Sequence, residues 1–327
     1  MTIDWQPLKE IIARHNSFLL TSHCRADCDA VGSELALALI LESLGKEVQI
    51  VNGDSVPEHI RFIDPDDRVQ ELGHNADPVE LSKIECLIVV DTSAWVQLGP
   101  MGDVVRDFPG TRVIIDHHVS QDDLEAEEFK DATAEATGRL ILELSEALEV
   151  ELTPQIALPL FAAIATDTGW FRFSSVTETT FLALAKLVSA GVSPPTVFSL
   201  LYEQHSLARI LLRGRILEHV VADCEGRLMS THVRRTDFEE VGANTTDTED
   251  VINTLLTVAG SEVAVLFVEL GENRTKVSLR SRTEFDVCAI AAQFGGGGHR
   301  AAAGVTYDGS LDEARLAVLD ALRAALG

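Results

Sequence analysis

The stretch "RVIIDHH", residues 112–118, decides the reading of the fold. Val113, Ile114 and Ile115 form an apolar run without polar alternation, the pattern of a strand buried on both faces of a parallel sheet. The run leads straight into Asp116, His117 and His118. In open parallel sheets ligands lie outside the carboxyl ends of the strands, so three titratable groups at this end point to a site.

The same construction recurs on either side. "SFLLTSH", "EVQIVNGD" and "ECLIVVDTS" read as further strands, with helical patterns over 30–44, 137–148, 154–166 and from Thr177 to a terminating Gly191. The expected class is α/β, a doubly wound, mostly parallel sheet. After the first strand comes "HCRADCDAVGS" with His23, Asp27 and Asp29, and after "CLIVV" comes Asp91. Asp167 ends an apolar helical run in "ATDTGWF".

One carboxylate at a strand end is an ordinary helix cap, a role that also suits Asp29. A rim of several carboxylates with interleaved histidines is not explained that way. Left uncompensated, the carboxylates raise one another's pKa, whereas divalent cations neutralise them. Carboxylate mixed with imidazole suits Mn²⁺, with Mg²⁺ as the alternative. Two such ions about 3.5–4 Å apart favour phosphoester hydrolysis. A zinc reading from Cys24 and Cys28 beside His23 lacks a closed set of four ligands.

Composition limits the classes. Among 327 residues, 52 acids against 26 bases leave a formal charge of −26, which lacks the basic footprint of a protein that tracks long nucleic acid. Five scattered cysteines predict a reducing compartment. With no targeting pattern and no apolar run long enough to cross a bilayer, the expectation is a cytoplasmic protein with no membrane partner.

The length favours two domains, expected at 1–192 and 222–327 with a helical linker over 193–221. The second reads as a smaller α+β domain: a strand at "RLMSTHV", a helix in "TEDVINTLLTVAG", a hairpin of "EVAVLFVEL" and "RTKVSLRSR", a helix to Phe294, "GGGGH", a short strand and a terminal helix. Gly295, Gly296, Gly297 and Gly298 exceed what helix termination needs and read, with His299 and Arg300, as an anion cradle. Arg280 and Arg282, spaced by two, are expected on one sheet face beside it.

Taken in order, "HCRADCD", "VVDTS", "IIDHH", "IATDTG" and "GGGGHRAAAG" resemble the DHH phosphoesterase superfamily in its DHH–DHHA1 branch, over nearly the whole chain. The compact length is similar to that of bacterial oligoribonucleases that also dephosphorylate 3′-phosphoadenosine 5′-phosphate (pAp). RecJ-like exonucleases and membrane-bound cyclic-dinucleotide phosphodiesterases carry additional parts, and family II pyrophosphatases have a different second domain. The resemblance implies one metal on His23 and Asp27, a second on Asp29, His117 and Asp167, and Asp91 bridging them. It implies His118 facing the scissile phosphate and Asp116 orienting its neighbours. It also implies short RNA or DNA oligonucleotides and pAp as substrates, with a homodimer permitted. Ala26 and Cys28 depart from the usual first motif, as does "AWVQLG" after the second-motif acid, and this bears on substrate preference. A linear or cyclic dinucleotide phosphodiesterase, a RecJ-like single-strand exonuclease and a non-catalytic nucleotide-binding regulator are the competing expectations.

Overall fold

A computed structural model describes residues 3–119 and 122–327. The chain divides into two compact units between Gln204 and His205. In the first, β1 (Ser17–Thr21), β2 (Glu47–Asn52), β3 (Val69–Glu71), β4 (Cys86–Val90), β5 (Thr111–Asp116) and β6 (Glu127–Lys130) form one sheet in the order β3-β2-β1-β4-β5-β6. Every pairing is parallel. The α/β expectation holds.

The apolar runs lack alternation because both faces are covered. Phe18, Leu20, Ile88, Val113 and Ile115 face a core shared with helices Gln6–Arg14, Cys28–Ser43, Thr137–Ala147 and Pro154–Asp167. Leu19, Leu87, Val89 and Ile114 face a second core closed by helices Trp95–Leu98 and Met101–Asp107.

On the first face three helices approach unusually closely. A Cβ at Gly32 would come within 2.6 Å of the Pro159 carbonyl oxygen, and one at Gly138 within 2.7 Å of the Ala163 Cβ. Glycine at these two positions lets helices Cys28–Ser43 and Thr137–Ala147 press on helix Pro154–Asp167. That contact sets the spacing of the acidic residues those helices carry.

The second unit is built on β7 (Val221–Asp223), β8 (Leu228–Val233), β9 (Val263–Gly271), β10 (Arg274–Ser281), β11 (Gly297–His299) and β12 (Ala302–Asp308), ordered β11-β12-β10-β9-β8-β7. Only β8 and β9 pair in parallel; the β9–β10 hairpin turns as its sequence predicts. Val263, Val265 and Phe267 face helix Leu311–Leu326, and Ala264, Leu266 and Val268 face the opposite core.

The stretch 193–221, expected as a helical linker, holds two helices: Pro194–Tyr202 buries Val197 in the first unit's core, and Leu207–Glu218 buries Leu212 and Ile216 in the second's. The helix expected in "TEDVINTLLTVAG" is shorter, Val251–Leu255, and starts only after Asp250, whose left-handed φ of 65° breaks the run on that side.

The glycine contact predicts the effect of filling it. Gly32→Ala should lower stability by about 1–3 kcal/mol through overpacking against rigid helix backbone. Gly214→Ala, in open space on helix Leu207–Glu218, should be neutral or stabilise by up to about 1 kcal/mol. Chemical denaturation of both variants checks this; equal effects would remove the role assigned to the close approach.

Candidate metal centre

Asp27 caps helix Cys28–Ser43, its Oδ1 accepting the N–H groups of Asp29 (2.9 Å) and Ala30 (3.2 Å). That cap places Asp29 in the first turn, buried, where it does not cap its own helix. Its Oδ2 and Oδ1 accept instead from the N–H groups of Thr137 (2.7 Å) and Gly138 (2.8 Å), the start of another helix. Both the hydrogen bonds and the positive end of that helix favour the carboxylate.

Asp91 follows β4 in the left-handed region, φ 61°, which turns its buried side chain out of the strand and onto the rim. Its Oδ1 accepts from Thr137 Oγ1 at 2.8 Å. His23 lies with Nε2 3.5 Å from Asp91 Oδ2, its Nδ1 donating to the Cys24 carbonyl. His117 donates through Nδ1 to the Ala134 carbonyl (3.1 Å), so Nε2 faces inward, 3.6 Å from Asp91 Oδ1, 3.5 Å from Asp167 Oδ2 and 3.8 Å from Asp29 Oδ2.

Two triads result, His23–Asp27–Asp91 and Asp29–His117–Asp167, each with ligand atoms within 4.8 Å of one another. A third grouping, Asp91–His117–His118, overlaps them. His118 is tied differently: its ring Nδ1 and its backbone N–H both reach Asp116 Oδ1, at 2.8 and 3.0 Å. No cysteine belongs to any of these groups among the described residues, and Cys28 is buried in the core, so the thiolate zinc reading has no support in the geometry.

The electrostatics show strong repulsion within the cluster. Burial, followed by repulsion from Asp91 and Asp167, lifts the Asp29 carboxyl well above its ordinary range. Burial also pushes Asp167 up to about 6, with Asp91 and Asp27 adding repulsion. Burial opposes the charge on His23, yet its bond to Asp91 prevails and raises it to about 9. Asp116 moves the other way: the bonds from His118, Ser93 and Lys130 overcome its burial and hold it well below the usual range. The bond to Asp116 in turn raises His118.

Several residues here escaped sequence reasoning. Ser93 Oγ donates to Asp116 Oδ2 (2.7 Å), and Lys130 Nζ lies 3.1 Å from the same oxygen. Asn52 Oδ1 accepts from the Ser22 N–H next to His23, while its Nδ2 donates to the buried Glu34 Oε2 (2.9 Å). Burial pushes Glu34 up to about 8. A lone acid inside the apolar run "SELALALIL" was the one available signal.

In the second unit the glycine segment is partly strand. Gly297, Gly298 and His299 form β11, paired with β12. Gly296 and Gly298 are required by close approach, since a Cβ would meet the Gly304 carbonyl oxygen at 2.4 Å and the Ala302 carbonyl oxygen at 2.5 Å. Gly297 has open space around its missing Cβ. β10 ends at Ser281, so the face shared by Arg280 and Arg282 does not extend to Arg282, which donates to the Leu256 carbonyl. Arg280 donates to the Leu279 carbonyl, and Arg300 pairs with Glu284.

Comparison with known proteins agrees with this architecture. Residues 17–164 match the DHH family, N-terminal domain, and residues 230–326 match the DHHA1 domain. The chain is 33% identical over 307 residues to the Bifunctional oligoribonuclease and PAP phosphatase NrnA of Thermus thermophilus, covering 93% of this chain and 88% of that protein. Against the Bacillus subtilis protein of the same name it is 28% identical, with 93% of each covered. The Cyclic-di-AMP phosphodiesterase GdpP of Geobacillus thermodenitrificans is 27% identical, but only 45% of its length is matched. A crystal structure of an exopolyphosphatase-related protein from Bacteroides fragilis shares the fold, with a TM-score of 0.86 at 22% identity over 98% of this chain and 94% of that one. With the ordered strand-end carboxylates, the two domain matches and this identity along nearly its whole length, the chain belongs to the DHH family of phosphoesterases, in the branch that carries a DHHA1 domain.

Proposed function

We propose that this protein uses two Mn²⁺ ions to hydrolyse very short oligonucleotides, about 2–5 nucleotides long, to mononucleotides, and to remove a phosphate from pAp-like nucleotides. The observation that carries the reading is the pair of neighbouring triads, His23–Asp27–Asp91 and Asp29–His117–Asp167, with His117 Nε2 3.6 Å from Asp91 Oδ1. The substrates follow the names of the relatives from Thermus thermophilus and Bacillus subtilis.

The donor set fits divalent cations. Burial and then repulsion between neighbouring carboxylates hold Asp29 and Asp167 above their ordinary pKa, a repulsion that divalent cations would relieve, and mixed oxygen and nitrogen donors suit Mn²⁺. His23, Asp27 and Asp91 would hold one ion, Asp29, His117 and Asp167 the other, with Asp91 shared. Bound ions would supply charge neutralisation and an activated water for attack on phosphorus.

The chain's own groups do the rest. Carbonyl bonds at Nδ1 of His23 and His117 fix which nitrogen each ring presents. Asp116 occupies His118 Nδ1, leaving Nε2 to donate to a phosphoryl oxygen or to protonate the leaving oxygen. In the second unit, Gly297 needs no glycine for its own fold, and bare exposed backbone beside His299 suits an anion. Within the proposed clamp of Gly295–Gly298 and His299, Gly297 and His299 are the stronger part; Arg280, Arg282 and Arg300 would have to leave their present partners. Among the described residues no single helix is long and apolar enough to cross a membrane. We place the action in the cytoplasm, where the five unpaired cysteines would stay reduced. Exposed Phe181, Leu182 and Phe198 would suit a homodimer contact.

The electrostatics give a test of metal binding without turnover. A carboxyl raised in the folded state stabilises fully below its unfolded pKa and loses that contribution as pH rises through the folded value. In chelator, wild type should therefore lose thermal stability relative to Asp167→Asn as pH rises from about 4 to 7. Saturating Mn²⁺ should reverse the difference. A gap that stays flat with pH, or no gain from Mn²⁺, would remove the cation reading.

Substrate length tests the rest. With Mn²⁺, RNA dimers to tetramers should be cleaved faster than long RNA, and His299→Ala should raise KM for dinucleotides and pAp by about tenfold while sparing bis-p-nitrophenyl phosphate. Equal losses on both substrates would dismiss the clamp, and faster cleavage of long RNA would dismiss the short-substrate reading.

A further inference from the structure

Lys130 ends β6, a short strand with Glu127 and Glu128 exposed before it, and composition alone reads it as a solvated charge. The register says otherwise. β6 pairs in parallel with β5 so that Lys130 lies opposite Asp116, and paired residues project their side chains to the same face. The lysine side chain is only 11% exposed.

Its ammonium lies 3.1 Å from Asp116 Oδ2 and donates to Ser93 Oγ at 2.6 Å. A hydroxyl has one proton, so Ser93, accepting from Lys130, passes its own to Asp116 Oδ2 at 2.7 Å. The carboxylate is thus divided: Oδ2 is held by Lys130 and Ser93, Oδ1 by the backbone and ring of His118. Because Asp116 is fully buried, losing the lysine charge would leave an anion free to rotate toward other donors.

We infer that Lys130 is a positioning residue for phosphoester hydrolysis, clamping Asp116 so that its other oxygen keeps His118 aimed at the scissile phosphate. The inference rests on the reading of His118 as the group facing that phosphate. Lys130 need not touch the substrate: its effect passes through Asp116 to the histidine.

The test compares kcat, KM and bound metal for wild type, Lys130→Met, Lys130→Arg, His118→Ala and the Lys130→Met/His118→Ala double variant, with an RNA dinucleotide and saturating Mn²⁺. Lys130→Met should lower kcat about 10–100-fold with metal content intact. KM should stay within about twofold, and Lys130→Arg should recover most of the loss. In the His118→Ala background the same change should cost less than about twofold, since the histidine it acts through is gone. Multiplicative losses in the double variant, or an undiminished kcat in Lys130→Met while His118→Ala is impaired, would overturn the inference alone. An unimpaired His118→Ala would overturn the reading of His118 and this inference with it. Should Lys130→Met fold poorly, Ser93→Ala, which cuts the same chain while keeping both charges, should show the same non-additivity; additive behaviour there would equally overturn it.

Discussion

The interaction on which the rest depends is the seat of the Asp29 carboxylate, one oxygen on each of the first two N–H groups of helix Thr137–Ala147. A buried acid is costly unless its lone pairs are taken up, and here donors that a helix start leaves free in any case offset part of that cost. The bond joins the helix after β1 to the helix after β6. Gly32 and Gly138 let both close onto the helix that ends at Asp167. Thr137 adds a bond from its hydroxyl to Asp91, so one helix start orients acids from two strand ends. Mutual repulsion is built into this arrangement, and it is what a pair of cations would relieve.

The parallel sheet was legible because burial on both faces leaves an unmistakable pattern: Val113 and Ile115 enter one core, Ile114 the other, and no polar alternation interrupts the strand. The rim residues were legible for a related reason, since a carboxylate directly after such a strand can point only out of its end. β3 and β6 were not, because "VQE" and "EEFK" are short, polar edge segments paired by their neighbours' geometry and not by their own propensity. Lys130 was lost with β6: its pairing opposite Asp116 exists only once the register is known. Glu34 and Asn52 were missed because a hydrogen bond between a helix and a strand 18 residues away leaves no periodic trace.

The second unit shows how one sequence feature can hold two causes. Gly296 and Gly298 admit close backbone contact with β12, a structural need that the run of glycines concealed. Gly297 has no such need, and His299 beside it is exposed, so the functional reading narrows from the whole run to part of it. The expected arginine pair weakens for a local reason: the strand stops at Ser281 and Arg282 turns to the Leu256 carbonyl.

The central claim is that the triads His23–Asp27–Asp91 and Asp29–His117–Asp167 hold two divalent cations, with Asp91 as the shared ligand. Anomalous diffraction at the manganese edge, from a crystal grown with Mn²⁺, tests it directly. The account predicts two peaks about 3.5–4 Å apart, one within His23, Asp27 and Asp91 and the other within Asp29, His117 and Asp167, with Asp91 touching both. A single peak, or a peak coordinated by His118, would contradict it.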